Sequence, residues 1–345
     1  MHSDFRQTVL WPVSRVLAAL GFASIFAVPL AHAHVRWFVD ANDPALETFP
    51  TYSWNDPAVL SWIAIGCLLI CTAVVLDGRF PRVPIIPSKL RHDAIELLRI
   101  FTGMSFLLTA YTGALIAPHM EAFNGFGYAL VFLEAVIGIM LISNNLVHHA
   151  AILMGLLYLG TMVNFGFVKA LEYVNIIGIA LFLYFNYVPN EELRAKLKPY
   201  SVDMLRIFTG VALVTLGITE KLAGAMLGQA FIANYQWNFM PALGFDWYTD
   251  QLFVLSAGAM EVVFGTILIL GVVTRLNILV VAVFMLASNI TFLVFGQNDH
   301  ALMELVGHMP IIATAVILLL LGYGQKIKLK NPTLRSQSVK TAPAE

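Results

Sequence analysis

The sequence predicts an all-α protein, a polytopic bundle of transmembrane helices. Three observations carry this. Hydrophobic residues make up 59% of the 345 and charged residues only 12%, about half the ~25% of a soluble domain. So few charges cannot cover a water-facing globule of this size, and the bilayer is the expected partner. Apolar runs of spanning length recur along most of the chain. Two stretches of the sequence, moreover, resemble one another in the same order. The net charge is −1, which gives no field for binding nucleic acid.

Residues 1–33 read as a secretory signal peptide. Arg6 and Arg15 precede an apolar run from Val16 to Leu30, and Ala31-His32-Ala33 supplies an A-x-A cleavage site. The alternative is a first membrane helix, since the uncharged stretch between Arg15 and Arg36 is just long enough to span. Cleavage after Ala33 would leave His34 with a free amine beside its imidazole, a chelate suited to copper. Residues 34–93 then comprise an external segment, one span at 57–76 and a basic loop. Cys67 and Cys71 lie i, i+4 within that span and read as small apolar residues.

The remaining spans are expected at 98–117, 127–143, 147–166, 172–188, 203–223, 251–272, 275–295 and 308–323. Together with the first they make nine, or ten if residues 1–33 are retained. Arg79, Arg82, Lys89 and Arg91, then Arg194, Lys196 and Lys198, then the tail from Lys326 fall in segments that alternate correctly, so all three should be cytoplasmic. The 224–250 loop has no Lys or Arg and is rich in Tyr and Trp, as an outer interfacial segment would be. An inner-membrane protein with its C-terminus in the cytoplasm follows. The tail, 324–345, is expected to be disordered.

The internal likeness is specific. Residues 98–103 and 205–210 both read LRIFTG. LEAVIGIMLI at 133–142 parallels MEVVFGTILI at 260–269, aligning Glu134 with Glu261. LEYVNIIGIA at 171–180 parallels MELVGHMPII at 303–312, aligning Glu172 with Glu304. Two four-helix copies, 94–188 and 201–323, must run in the same direction, because an even number of spans returns the chain to its starting side. Arg99 and Arg206, at the mouths of their spans, fit the inside bias by snorkelling.

An ionisable residue within a span costs several kcal/mol, roughly 2.5–3.5 on insertion scales, and marks a functional candidate. Glu261 lies about ten residues into its span. Glu220, Lys221, Glu304 and His308 lie toward the outer side, with Glu304 and His308 on one helix face. They define a candidate polar pocket in the second copy. A structural ion-pair network is the competing reading. The first copy has Gly113-Ala114 where the second has Glu220-Lys221, and Ile176 in place of His308.

Leu205-Arg206 with Gly210, Glu220-Lys221, Glu261, and Glu304 with Gly307-His308-Met309-Pro310 together resemble the DoxX family, which includes small membrane subunits of thiosulfate:quinone oxidoreductase. The resemblance covers 201–323 closely and 94–188 more weakly. It implies a membrane module tied to redox chemistry, with quinone as the cofactor and a periplasmic or membrane redox partner. Small-solute or metal handling, and a non-catalytic scaffold, are the alternatives.

Overall fold

The computed structural model describes residues 35–40, 43–77, 79, 88–322 and 325–329. The signal-peptide segment and His34 lie outside the described residues. Eight described helices are long and apolar enough to cross a membrane, and a ninth apolar helix is shorter.

Helix α1 is Pro57–Leu76. Asp56 and Pro57 open it, proline being suited to a first turn where the N–H has no helical partner. Next come α2 (Ser88–Tyr111) and a two-stranded antiparallel hairpin, β1 (Ala114–Leu115) with β2 (Ala117–Glu121). Helix α3 (Gly125–Ile142) is capped by Asn124, whose side chain accepts from Gly127 N at 2.7 Å. Helix α4 (Val147–Phe165), a single turn α5 (Phe167–Leu171), and α6 (Asn175–Tyr187) complete the first half.

After α7 (Glu191–Leu197), α8 (Ser201–Leu216) runs into a π-helical turn, Gly217–Leu222. The outer loop contains a helix, α9 (Ala225–Tyr235). Then follow α10 (Asp250–Leu270), α11 (Thr274–Val294) and α12 (Asn298–Leu321). The last helix starts ten residues earlier than the sequence suggested, taking in the more polar stretch before 308, and Pro310 lies inside it. Expected span 98–117 ends early at Tyr111, where the hairpin takes over.

The helices close into a ring. Helix α2 packs on α3, α3 on α4 and α4 on α6; α8 packs on α10, α10 on α11 and α11 on α12. The halves meet twice, through α6 against α8 and through α12 against α2. Helix α1 stands outside and leans on α10.

Matching positions make matching contacts. A β-carbon on Gly103 would sit 2.9 Å from Gly138 O, and one on Gly210 would sit 2.7 Å from Gly265 O. Both crossings therefore bring backbone against backbone, which only small residues permit. Arg99 donates to the carbonyls of Leu141 and Ile142, and Arg206 to those of Leu268 and Ile269. Each guanidinium thus caps the last carbonyls of the neighbouring helix, where the helix dipole is negative. The two arginines are 4% and 0% exposed, so they are buried caps rather than snorkelling side chains.

The start of the tail is ordered, against expectation. Lys326 N donates to Asp203 Oδ2 at 2.9 Å, Leu329 N to Leu270 O at 2.9 Å, and Lys328 Nζ pairs with Asp77 Oδ2 at 3.0 Å. Orphan groups at the helix ends supply the anchors.

Candidate functional site

The π turn is the local device that presents the two adjacent charges of the second half. A π turn holds more than four residues and redirects side chains, which is why such turns collect at functional sites. Here Glu220 is 0% and Lys221 4% exposed. Gly258, opposite on α10, makes room for the lysine stem. A β-carbon there would lie 2.9 Å from Lys221 Cβ and 3.0 Å from Gly217 O. Lys221 then reaches Glu261, Nζ lying 3.0 Å from Oε1 and 3.1 Å from Oε2. Desolvation makes such a pair costly, so removal of one partner leaves an uncompensated buried charge.

The equivalent carboxylate of the first half is held differently. Glu134, fully buried, accepts from Ile116 N at 3.0 Å to each oxygen and from Thr109 Oγ1 at 2.6 Å. Ile116 adopts φ 64°, an unfavourable value for a β-branched residue. The hairpin thus delivers a strained backbone N–H to the place where the second half has an ammonium.

Glu220, Lys221, Glu261 and His308 line one cavity of about 90 Å³. Glu304 does not line it. It is buried one turn away, with Oε1 3.8 Å from His308 Nδ1. His300, also on α12, belongs to a separate outer cluster with Phe38, Tyr235 and Phe292.

The sequence did not place two further groups there. Glu172 and Tyr173 of the first half line the same cavity, so the pocket lies between the halves. Thr219 donates to Glu172 Oε1 at 2.7 Å across that boundary. The second group is a strap, residues 35–40. Val35 N donates to Glu220 Oε2 at 3.0 Å, and Trp37 Nε1 donates to Tyr173 OH at 3.1 Å. The Trp37 ring lies 5.2 Å from that of His308, in a notch that a β-carbon on Gly307 would fill. Arg36 stands between the halves, 3.9 Å from both Glu172 Oε1 and Glu220 Oε1.

Those 3.9 Å separations are too long for hydrogen bonds. Arg36 Nε, Glu172 Oε2 and Glu220 Oε1 have no hydrogen-bond partner among the described residues. Buried polar atoms left in this way call for a bridging water or a ligand. The cluster also holds four carboxylates, Glu172, Glu220, Glu261 and Glu304, against two permanent cations, Arg36 and Lys221. It can accept hydrogen bonds, donate them and exchange protons.

His119 lies in β2. Its ring lies 5.9 Å from Tyr173, and neither nitrogen has a partner among the described residues. Burial, helped by the charges of Arg36 and Lys169, pushes its pKa down to about 4. Among the described residues no group of three or more His, Cys, Asp or Glu side chains is placed to hold a metal ion.

Residues 201–294 match the family model described as DoxX. No curated protein and no solved structure shows a significant match to the chain.

Proposed function

From the premise that the chain is a DoxX-like membrane protein through residues 201–294, we propose that it is the membrane module of a redox system. In this reading the polar cavity receives the head group of a quinone and exchanges protons with it. A periplasmic or membrane partner protein exchanges the electrons. One observation carries the reading, a cavity lined by two carboxylates, one from each half, that each keep an oxygen without a hydrogen-bond partner among the described residues, Glu172 Oε2 and Glu220 Oε1.

The residues present suit such a group. A quinone carbonyl needs donors, and the Lys221 ammonium stands on the cavity wall, with the His308 ring beside it. The hydroxyls of the reduced form need acceptors, which the two orphan oxygens supply. A bound quinone would contribute two-electron, two-proton chemistry. The chain's own residues hold the head group and exclude bulk water. Glu220 and Glu172 take up or give up protons at the orphan oxygens, while Arg36 between them offsets whichever is charged.

Binding of 2,3-dimethoxy-5-methylbenzoquinone to the purified protein in lipid nanodiscs tests this. Glu261→Gln and His308→Ala should weaken binding at least about tenfold at equal folded yield, because the first leaves Lys221 without its counter-charge and the second removes a ring that lines the cavity. Glu134→Gln should change it less than about twofold, since an amide oxygen still accepts from Ile116 N. Equal losses in all three variants, or no binding by the wild type, would refute the assignment. The carboxylate excess favours a second reading, handling of a small cation at the same cavity, for which cation-dependent stabilisation would be the signature.

A further inference from the structure

A groove of about 140 Å³ runs between α1 and α11, both of which pack on α10, its floor. It shares no lining residue with the polar cavity. Leu69 and Ala73 line it from α1, Val263 and Phe264 from α10, and Val280 and Phe284 from α11. One end is closed. Asp77, just after α1, accepts from Val273 N at 3.0 Å and pairs with Lys328 at 3.0 Å. This is the end at which Arg206 caps α10. The flanks carry Leu68 and Val75 on α1 and Val283 on α11, all exposed, as lipid-facing side chains should be. The groove therefore faces the hydrocarbon layer.

Among the lining side chains only Thr72 and Asn277 are polar. Thr72 is satisfied, its hydroxyl donating to Leu68 O at 2.7 Å. Asn277 is not. It is 3% exposed, and its Nδ2 donates to Phe264 O at 2.9 Å, which fixes the sense of the amide. Its Oδ1 has no hydrogen-bond partner among the described residues. An acceptor buried at a wall that faces hydrocarbon has no bulk water to turn to, so it calls for a donor from elsewhere.

We infer that this groove binds a neutral long-chain lipid bearing a hydroxyl, which donates to Asn277 Oδ1 while the chain lies along α11 toward Phe284. The ligand class follows from the lining. A hydroxyl supplies the missing proton, whereas the esters of a phospholipid are acceptors only and would leave Oδ1 unpaired. The lining has no charged side chain to hold a phosphate or carboxylate. The length also fits. Asn277 stands near the closed end, and Phe284 lies about 10 Å farther along at ~1.5 Å per residue, toward the middle of the span. A hydroxyl at the interface with its chain pointing inward is the posture an amphiphile already holds in one leaflet.

The test uses two photoreactive probes, hexadecanol carrying a mid-chain diazirine and its methyl ether, which keeps the chain and loses the donor. Each is added to the purified full chain in nanodiscs of one lipid composition, and labelled peptides are mapped by mass spectrometry. Labelling of the groove is divided by labelling around Phe132 and Leu156, exposed on α3 and α4, so that partition into the bilayer cancels. The alcohol should label the groove about fivefold more than the ether, the factor expected for one neutral hydrogen bond. Asn277→Leu should bring that ratio to about one while the ether still labels. Val280→Phe fills the groove, leaves the amide in place, and should lower labelling by both probes. Equal labelling by alcohol and ether in the wild type would overturn the assignment. So would an unchanged ratio in folded Asn277→Leu, or undiminished alcohol labelling in folded Val280→Phe. Each of these results leaves the polar-cavity assignment as it stands.

Discussion

Two aligned glutamates show how position and chemistry part company at the scale of one residue. Glu134 and Glu261 share a sequence context, yet one meets a backbone N–H and a hydroxyl, the other an ammonium. The contrast was legible in part, since Gly113-Ala114 stand where the second copy has Glu220-Lys221. What replaces the lysine was not, because a hairpin N–H at Ile116 leaves no residue-type signature. Arg36 was equally hidden. Its contacts with Glu172 and Glu220 span more than a hundred positions, beyond any local periodicity. His119 gives a pH prediction. Its folded pKa of about 4 lies below the unfolded value of 6.5, so the unfolded chain binds more protons between those values. Stability should therefore fall as pH drops from 6.5 toward 4. At about 1.36 kcal/mol per unit, His119→Phe should remove up to about 3 kcal/mol of that fall. Thermal melts at pH 7 and pH 4.5 measure it, and a variant with the wild-type pH slope would contradict the assignment.

Helix elements were the most readable level, because spanning length and hydropathy are set by the bilayer. The expected spans correspond to the eight long helices and to the short α6. Exceptions have local causes. The π turn and the hairpin both occur where α8 and α2 would otherwise continue, and hydropathy does not distinguish a π turn from an α turn. The polar residues of its first turns hid the start of α12, which begins at Asn298. The paired glycines are the strongest element-scale constraint. A β-carbon on Gly265 would lie 2.6 Å from Gly210 O, whereas one on Gly155 would meet nothing within 4 Å. Gly265→Ala should force α8 and α10 apart and cost about 1–3 kcal/mol, as overpacking does. Gly155→Ala should be neutral. Similar melting temperatures for the two variants would remove the crossing from the account.

For the whole molecule, the ring joins two halves through α6 with α8 and α12 with α2, and the polar cavity lies between them. The sequence assigned the pocket to the second half alone, and Glu172 and Tyr173 extend it across the boundary. The arginine caps and the docked residues 325–329 gather at one end, and the strap covers the other. By the placement of lysines and arginines, the capped end is expected to face the cytoplasm. A fluorescent reporter that matures only in the cytoplasm should be bright when fused after Lys340 and dark when inserted in the 224–250 loop, and an alkaline phosphatase, active only outside, should show the reverse. The opposite pattern would invert the cavity with respect to the membrane.

The strap also sets an order of events during synthesis. Residues 35–40 leave the ribosome before every helix that receives them. The notch for Trp37 is at Gly307, on the last span. Glu261 can find Lys221 as soon as α10 enters the bilayer, because both belong to neighbouring elements. Trp37 must wait until nearly the whole chain has been translated. Docking of the strap is thus a late maturation event, and an interrupted chain that ends before α12 would leave an exposed tryptophan and an unseated arginine, features that membrane quality control could use to tell a finished molecule from a fragment.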